Sequence, residues 1–349
     1  MWVSKFANLQ KRNVDTNAVD SQKIFYLNTP CLVFGSSIAD YNKINSKMLV
    51  QLRSGVNRMI ASPYARLARV DKPIGTYLLM WPGLWSIALA SPTAIPDPVL
   101  LAKFGIGAFV MRSAGCTIND IFDRKIDVQV ARTKSRPIAA GEVTVPKAVA
   151  FLGAQLSVGL AILLTLPEYA IYLGAASVAP VCLYPLAKRV FDWPQLVLGM
   201  TFNWGAMLGW AATHSSIDWN VILPLYIGCA SWTLAYDTVY AYQDKVDDKK
   251  LGLRSSALTV GDDAAKVFLG STYAFSAACI LGSGIKYGAI YGGFNIPIYS
   301  LGVAAMGLNF AYQVTDLKVD DPTDLGNKFY MNHWVGPSLF SAIILAKCL

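Results

Sequence analysis

Apolar runs of about 20 residues recur nine times between residues 74 and 348, and this repetition limits what the chain can fold into more than any other feature. The runs fall at about 74–91, 99–118, 146–165, 168–187, 194–213, 219–236, 264–284, 289–313 and 334–348. A helix rising about 1.5 Å per residue needs about 20 residues to cross a hydrocarbon layer, and the runs meet or approach that length. In lipid every backbone amide must be satisfied within its own segment, which selects helices. The sequence therefore predicts an all-α, multi-span helical membrane protein with about nine transmembrane helices, its partner surface the lipid bilayer. Pro82, Pro180, Pro224 and Pro297 fall inside runs, where kinks are expected.

A chain that is 54% hydrophobic and 15% charged agrees with that class. The net charge of +8 would suit nucleic acid if the basic residues formed one face. They sit instead in short loops between apolar runs, so no nucleic-acid partner is expected. The six cysteines include no CxxC pair, and His214 and His333 are too far apart to form a metal motif.

Residues 1–60 are basic and rich in Ser and Asn, which resembles a mitochondrial transit peptide; a disordered basic tail is the alternative. Residues 61–349 are then the membrane domain. Loops on the N-terminal side carry Arg66, Arg69, Lys72, Arg124, Lys125, Arg132, Lys134, Arg136, Lys188, Arg189, Lys245, Lys249, Lys250, Arg254, Lys318 and Lys328. The opposite side offers Lys103, Lys286 and Lys347. The positive-inside rule thus places the N-terminus and the charged loops on the cytoplasm-equivalent face, the matrix in a mitochondrion.

Two acidic stretches open on that same face. Asn119, Asp120, Asp123 and Asp127 follow the second run, and Asp237, Tyr240, Asp244, Asp247 and Asp248 follow the sixth. Read as continuing helices, they place Asp120, Asp123 and Asp127 on one stripe and Asp237, Tyr240, Asp244 and Asp248 on another. Carboxylates packed this closely repel, so cations are expected between them. Hard divalent ions fit, and Mg2+ commonly takes one or two carboxylates while phosphate oxygens fill other positions. Each stretch is followed by a basic loop with Ser or Thr, a weak internal repeat whose two copies would face one central cavity.

Two such stripes with Mg2+ would grip a diphosphate, and nearby Arg and Lys would neutralise it as it departs. If it leaves an allylic carbon, the resulting cation needs a dry aromatic chamber. Tyr77, Trp81, Trp85, Phe109, Tyr184, Phe202, Trp204, Trp210, Trp232, Tyr236 and Tyr240 are the candidate lining, although core or interfacial packing is the commoner role of any one of them.

The NDxxDxxxD spacing of Asn119–Asp127 and the DxxYAxQDxxDD spacing of Asp237–Asp248 resemble UbiA-type intramembrane prenyltransferases. So do the segment Arg69-Val-Asp71-Lys72-Pro73-Ile-Gly75-Thr76 and the Tyr184-Pro185-x-x-Lys188-Arg189 group. The Asp71–Thr76 segment and the second motif are similar to the branch whose acceptor is 4-hydroxybenzoate, in ubiquinone synthesis. The resemblance implies that Asn119, Asp120, Asp123, Asp127, Asp244 and Asp248, helped by Asp237 and Asp247, hold Mg2+ and a polyprenyl diphosphate. It implies that Arg132, Arg136, Lys188 and Arg254 contact diphosphate oxygens, that Tyr184 and Tyr240 lie near the reacting carbon and are catalytic together with Asp123 and Asp244, and that Arg69, Asp71 and Lys72 orient the acceptor carboxylate. Arg254 stands where related enzymes often carry Lys, which keeps the charge but alters donor geometry. A naphthoate, homogentisate, haem or chlorophyllide acceptor, a cation-coupled transporter, and partner proteins of a ubiquinone-synthesis complex are the readings left open.

Overall fold

A computed structural model describes residues 61–349, except Ala131 and the side chains of residues 182, 184–186, 188 and 189. The transit peptide expected over residues 1–60 lies outside the described residues. Everything described is helix or loop.

A short helix α1 (Pro63–Leu67) leads into α2 (Ile74–Ala90), α3 (Pro98–Phe122) and a single turn, α4 (Arg124–Asp127). Then come α5 (Val145–Leu163), α6 (Glu168–Ala176), α7 (Val178–Val190), α8 (Pro194–Phe202) and α9 (Trp204–His214). The remainder is α10 (Trp219–Tyr242), α11 (Lys245–Leu251), α12 (Ser256–Val260), α13 (Ala265–Tyr291), α14 (Ile296–Thr315), α15 (Pro322–Met331) and α16 (Val335–Cys348). Each of the nine apolar runs corresponds to one helix or a broken pair. By length and composition α3, α5 and α13 can each cross a membrane, and α2 is a shorter apolar helix.

Two runs are broken where a polar side chain shares a helix carbonyl with a backbone amide. Between α6 and α7 the Ser177 hydroxyl donates to the Gly174 carbonyl at 2.5 Å. Between α8 and α9 the Asn203 Nδ2 donates to the Gly199 carbonyl and to Thr233 Oγ1, both at 2.7 Å.

Consecutive long helices pack side by side, and α16 closes the circuit by packing on α2. Small residues allow two of the closest crossings. At α2 and α9 a methyl on Gly209 would lie 2.6 Å from the Gly83 carbonyl oxygen. At α10 and α13 the Ser276 hydroxyl donates to the Gly228 carbonyl at 2.7 Å. The core between the helices is aromatic, with Trp85 and Trp232 at 5.5 Å and the Trp85 indole nitrogen donating to the Gly336 carbonyl at 2.9 Å. This packing fixes the ends of α3 and α10, which carry the acidic stretches.

Candidate active site

Neither acidic stretch continues as one helix. Helix α3 ends at Phe122, and Asp123 adopts φ −89°, ψ 4° before the turn α4 begins. Helix α10 ends at Tyr242, and Asp244 adopts φ −101°, ψ 0° before α11. These dihedrals lie in the sparsely occupied bridge region, a conformation frequent at functional sites. The chain direction survives each joint, because the Asp127 amide donates to the Asp123 carbonyl and the Asp248 amide to the Asp244 carbonyl, both at 2.8 Å. The expected stripes are therefore jointed, with Asp123 and Asp244 at corresponding joints.

The cations between these carboxylates are, in the first place, arginines. Asp120 is 1% exposed. Its Oδ1 accepts from Arg69 Nη2 at 2.7 Å and lies 3.2 Å from Arg136 Nη1. Arg136 Nη1 also donates to both oxygens of Asp127, at 3.1 and 3.0 Å. Arg69 stands at φ 59°, a left-handed conformation that costs a non-glycine residue roughly 1–2 kcal/mol. Its hold on Asp120, and a bond from its Nη1 to the Arg66 carbonyl at 2.9 Å, oppose that strain. Burial pushes the Asp127 carboxyl above the usual carboxylate range; Arg136 opposes this shift, and Asp120 and Asp123 reinforce it.

A second contact joins the halves. Arg132, in the loop after α4, donates through Nε to Asp244 Oδ1 at 2.8 Å and through Nη2 to Oδ2. Its Nη1 donates to the Tyr240 hydroxyl at 2.5 Å, and its Cζ lies 5.0 Å from the Tyr240 ring centroid. Phe329, from α15, packs on Tyr240 at 4.9 Å and on Tyr236 at 5.8 Å.

The other expected site residues have separate contacts or stand beside these. Arg254 bonds to Asp192 and to the Val190 carbonyl, at 3.0 and 3.2 Å. Asp247 faces Lys250 at 4.0 Å on the outer side of α11. Asp71 and Lys72 are exposed beside Arg69. Asn119, Asp123 and Asp237 are half-buried at the same end of the bundle. The side chains of Tyr184 and Lys188 lie outside the described residues.

Most of the expected aromatic lining is packing. Trp85, Trp210 and Trp232 are buried in the core, and Tyr77 and Phe109 are exposed. Phe202, Tyr236 and Tyr240 remain near the acidic end, joined by Phe329, which the sequence reading did not select. Arg112 was also missed. It sits inside α3, two turns before Asn119 and therefore on the same face. Its guanidinium carbon lies 5.9 Å from the Phe202 ring centroid, against Gly75, where any side chain would collide with it. A single arginine within an apolar span was the available signal.

The residues suit a hard cation in part. Asp120 Oδ2 is buried with no hydrogen-bond partner, as an oxygen reserved for a ligand would be. Among the described residues, no three acidic, His or Cys side chains converge on a single point. A Mg2+ ion here would take one or two carboxylates and complete its shell with phosphate and water oxygens. At the opposite end, a cleft of about 520 Å³ lined by Trp210, His214, Asp218, Trp219 and Tyr291 holds one carboxylate and no arginine or lysine. Among the described residues, the paired acid–arginine chemistry is confined to the first end.

Comparison with known proteins agrees with this geometry. The UbiA prenyltransferase family profile matches residues 79–336. The mitochondrial 4-hydroxybenzoate polyprenyltransferase of Aedes aegypti is 50% identical over 310 residues, covering 88% of this chain and 69% of that protein. Among solved structures, the apo UbiA homologue of Aeropyrum pernix K1 superposes with a TM-score of 0.64 at 21% identity, over 78% of this chain and 97% of that one. A UbiA homologue of Archaeoglobus fulgidus bound to GPP and Mg2+ gives 0.62 at 16% identity, over 82% of this chain and 100% of that one. The fold is that of an all-α, multi-span membrane protein with both acidic stretches at one end. The chain belongs to the UbiA prenyltransferase family.

Proposed function

We propose that this chain transfers a polyprenyl group from polyprenyl diphosphate to the ring carbon ortho to the hydroxyl of 4-hydroxybenzoate, releasing pyrophosphate, in ubiquinone biosynthesis. The observation that carries the site assignment is the Arg132–Asp244 pair, which brings the two acidic stretches to one place. The acceptor rests on the 50% identical relative named for it.

Asp123, Asp244 and Asp248, with Asn119 and the free oxygen of Asp120, would hold Mg2+, and Asp127 and Asp237 stand behind them. The bound ion supplies positive charge that makes diphosphate a better leaving group. Arg132 and Arg136 provide forked donors for the diphosphate oxygens, with Lys188 as a further cation. Arg254 contributes only by leaving Asp192. Tyr240, Tyr236, Phe202 and Phe329 shield the allylic carbon from water and offer ring faces to its developing charge.

Arg69, Asp71 and Lys72 would orient the acceptor carboxylate, and Arg112, which lies against Gly75 and 5.9 Å from the Phe202 ring centroid, is a further cation on that side. The ring attacks the allylic carbon, the C–O bond to diphosphate breaks, and the ring proton passes to a carboxylate of the second motif or to the departing pyrophosphate. The membrane is the mitochondrial inner membrane, with the acidic end toward the matrix, supported by the basic loops at that end. Residues 1–60 would serve as the transit peptide, and 61–349 as the membrane domain. Ubiquinone-synthesis proteins would dock on the basic loops.

The acceptor is tested by supplying membranes that contain this chain with polyprenyl diphosphate and, in turn, labelled 4-hydroxybenzoate, a naphthoate and homogentisate. Only 4-hydroxybenzoate should become prenylated. Preferential labelling of either other ring would reassign the acceptor.

A further inference from the structure

The Arg132–Asp244 pair differs from its neighbours in where it sits. Asp120, beneath Arg69 and Arg136, is 1% exposed, whereas the side chains of Arg132 and Asp244 keep 35% and 20% of their surface. The carboxylate of this pair is therefore open to solvent where that of Asp120 is not. The pairing also covers both oxygens of Asp244, the oxygens a metal would need. Arg132 has a second attachment that does not depend on Asp244, through the hydroxyl and ring face of Tyr240. Phe329 packs against that tyrosine and backs it.

We propose that Arg132 exchanges partners when substrate arrives: it leaves Asp244 for the diphosphate oxygens as Asp244 takes the metal. This rests on the assignment of the acidic end as the diphosphate site. Every charge keeps an opposite partner throughout the exchange, so neither ion is left bare at the site. Tyr240 is the pivot, because its contact with the guanidinium can persist while the carboxylate contact is lost.

The exchange makes the guanidinium act in opposite directions on metal binding. Metal alone must displace Arg132 from Asp244, and the affinity is lowered by the fraction of molecules in which the pair is closed. Metal with diphosphate offers Arg132 a new partner, so diphosphate strengthens metal binding through this one side chain.

The test is Mn2+ binding to the purified full chain in lipid nanodiscs, counted by electron paramagnetic resonance after separation from free ion. It is run with and without geranyl diphosphate and without acceptor, so that no turnover intervenes. Arg132→Gln should bind Mn2+ alone about fivefold more tightly than wild type, and should lose at least fivefold of the enhancement geranyl diphosphate produces. Arg132→Lys keeps the charge without the fork and should fall between the two, which separates the exchange from a folding defect. Weaker or unchanged binding of Mn2+ alone by Arg132→Gln would overturn the exchange. Failure of wild type to bind Mn2+ even with geranyl diphosphate would overturn the site assignment, and the exchange with it.

Discussion

Asp123 and Asp244 hold the same backbone conformation at corresponding places: each stands between a long apolar helix and a short polar one, at φ −89°, ψ 4° and φ −101°, ψ 0°. Each accepts the amide of the aspartate four residues on at 2.8 Å. The correspondence gives structural content to the weak repeat in the sequence, and pairs Asp127 with Asp248. It does not extend to the loops. Arg132 crosses to the second stretch, while Arg254 turns to Asp192 instead of crossing back.

Asp127 should trade stability for function. Its pKa is raised in the fold, mainly by burial, so the folded state binds the proton more tightly than the unfolded chain does. Its contribution then favours the fold below the unfolded carboxylate range and is lost as pH rises through the folded value. At neutral pH the ionised side chain opposes folding, and Arg136 retains Asp120 if Asp127 is neutralised. Ligand-free Asp127→Asn should melt roughly 1–3 °C above wild type at pH 7, and the gap should close below about pH 4. Prenyl transfer should fall sharply in the same variant. Thermal scans at both pH values check the sign.

Asp120 should behave in the opposite way. It is buried between two arginines, one of them in a strained conformation, so its removal leaves both without their shared acceptor. Asp120→Ala should lose about 3 kcal/mol of stability, visible as a lowered melting temperature and poor yield. A variant with wild-type stability would mean that Arg69 is held by something other than this carboxylate.

Phe329 should act through Tyr240. Replacing it with Ala removes the ring packed at 4.9 Å and frees the tyrosine that supports Arg132. The KM for polyprenyl diphosphate should rise roughly three- to tenfold with a smaller change in kcat, and Phe329→Leu should recover most of the loss. Equal losses in kcat and kcat/KM would argue for a direct role in the transition state.

The α2–α9 crossing should tolerate no added methyl. In Gly209→Ala the new carbon meets a backbone oxygen at 2.6 Å, which cannot rotate away as a side chain could. A loss of about 1–3 kcal/mol in stability is expected, with the affinity for diphosphate unchanged.

The spans and the acidic ends were legible because they follow from length and periodicity. Nine apolar runs became nine helices or broken helix pairs, and the carboxylates fell at the ends where the runs stop. The jointed form of the acidic stretches was hidden, because aspartate is compatible with both helix and bridge conformations. The partners of the carboxylates were hidden for a different reason. Arg69 and Asp120 are neighbours only because the start of α2 packs beside the end of α3, a relation between helices that no spacing within one stretch records. The same holds for Arg132 and Asp244. Aromatic residues misled because the core and the chamber draw on one vocabulary: Trp85 and Trp232 pack on each other, fully buried in the core. Arg112 was visible as the single arginine within α3, and its meaning came only with Gly75 and Phe202 around it.

If the two jointed acidic stretches form one magnesium-dependent prenyl-transfer site, removing either stretch's joint carboxylate or the metal should stop transfer. The most direct test is transfer of label from polyprenyl diphosphate to 4-hydroxybenzoate in membranes carrying wild type, Asp123→Asn or Asp244→Asn, with and without Mg2+. Wild type should form 3-polyprenyl-4-hydroxybenzoate only when Mg2+ is present, and each variant, inserted at normal levels, should lose at least about a hundredfold in rate. Transfer that persists in either variant, or that proceeds in wild type with divalent ions chelated, would contradict it.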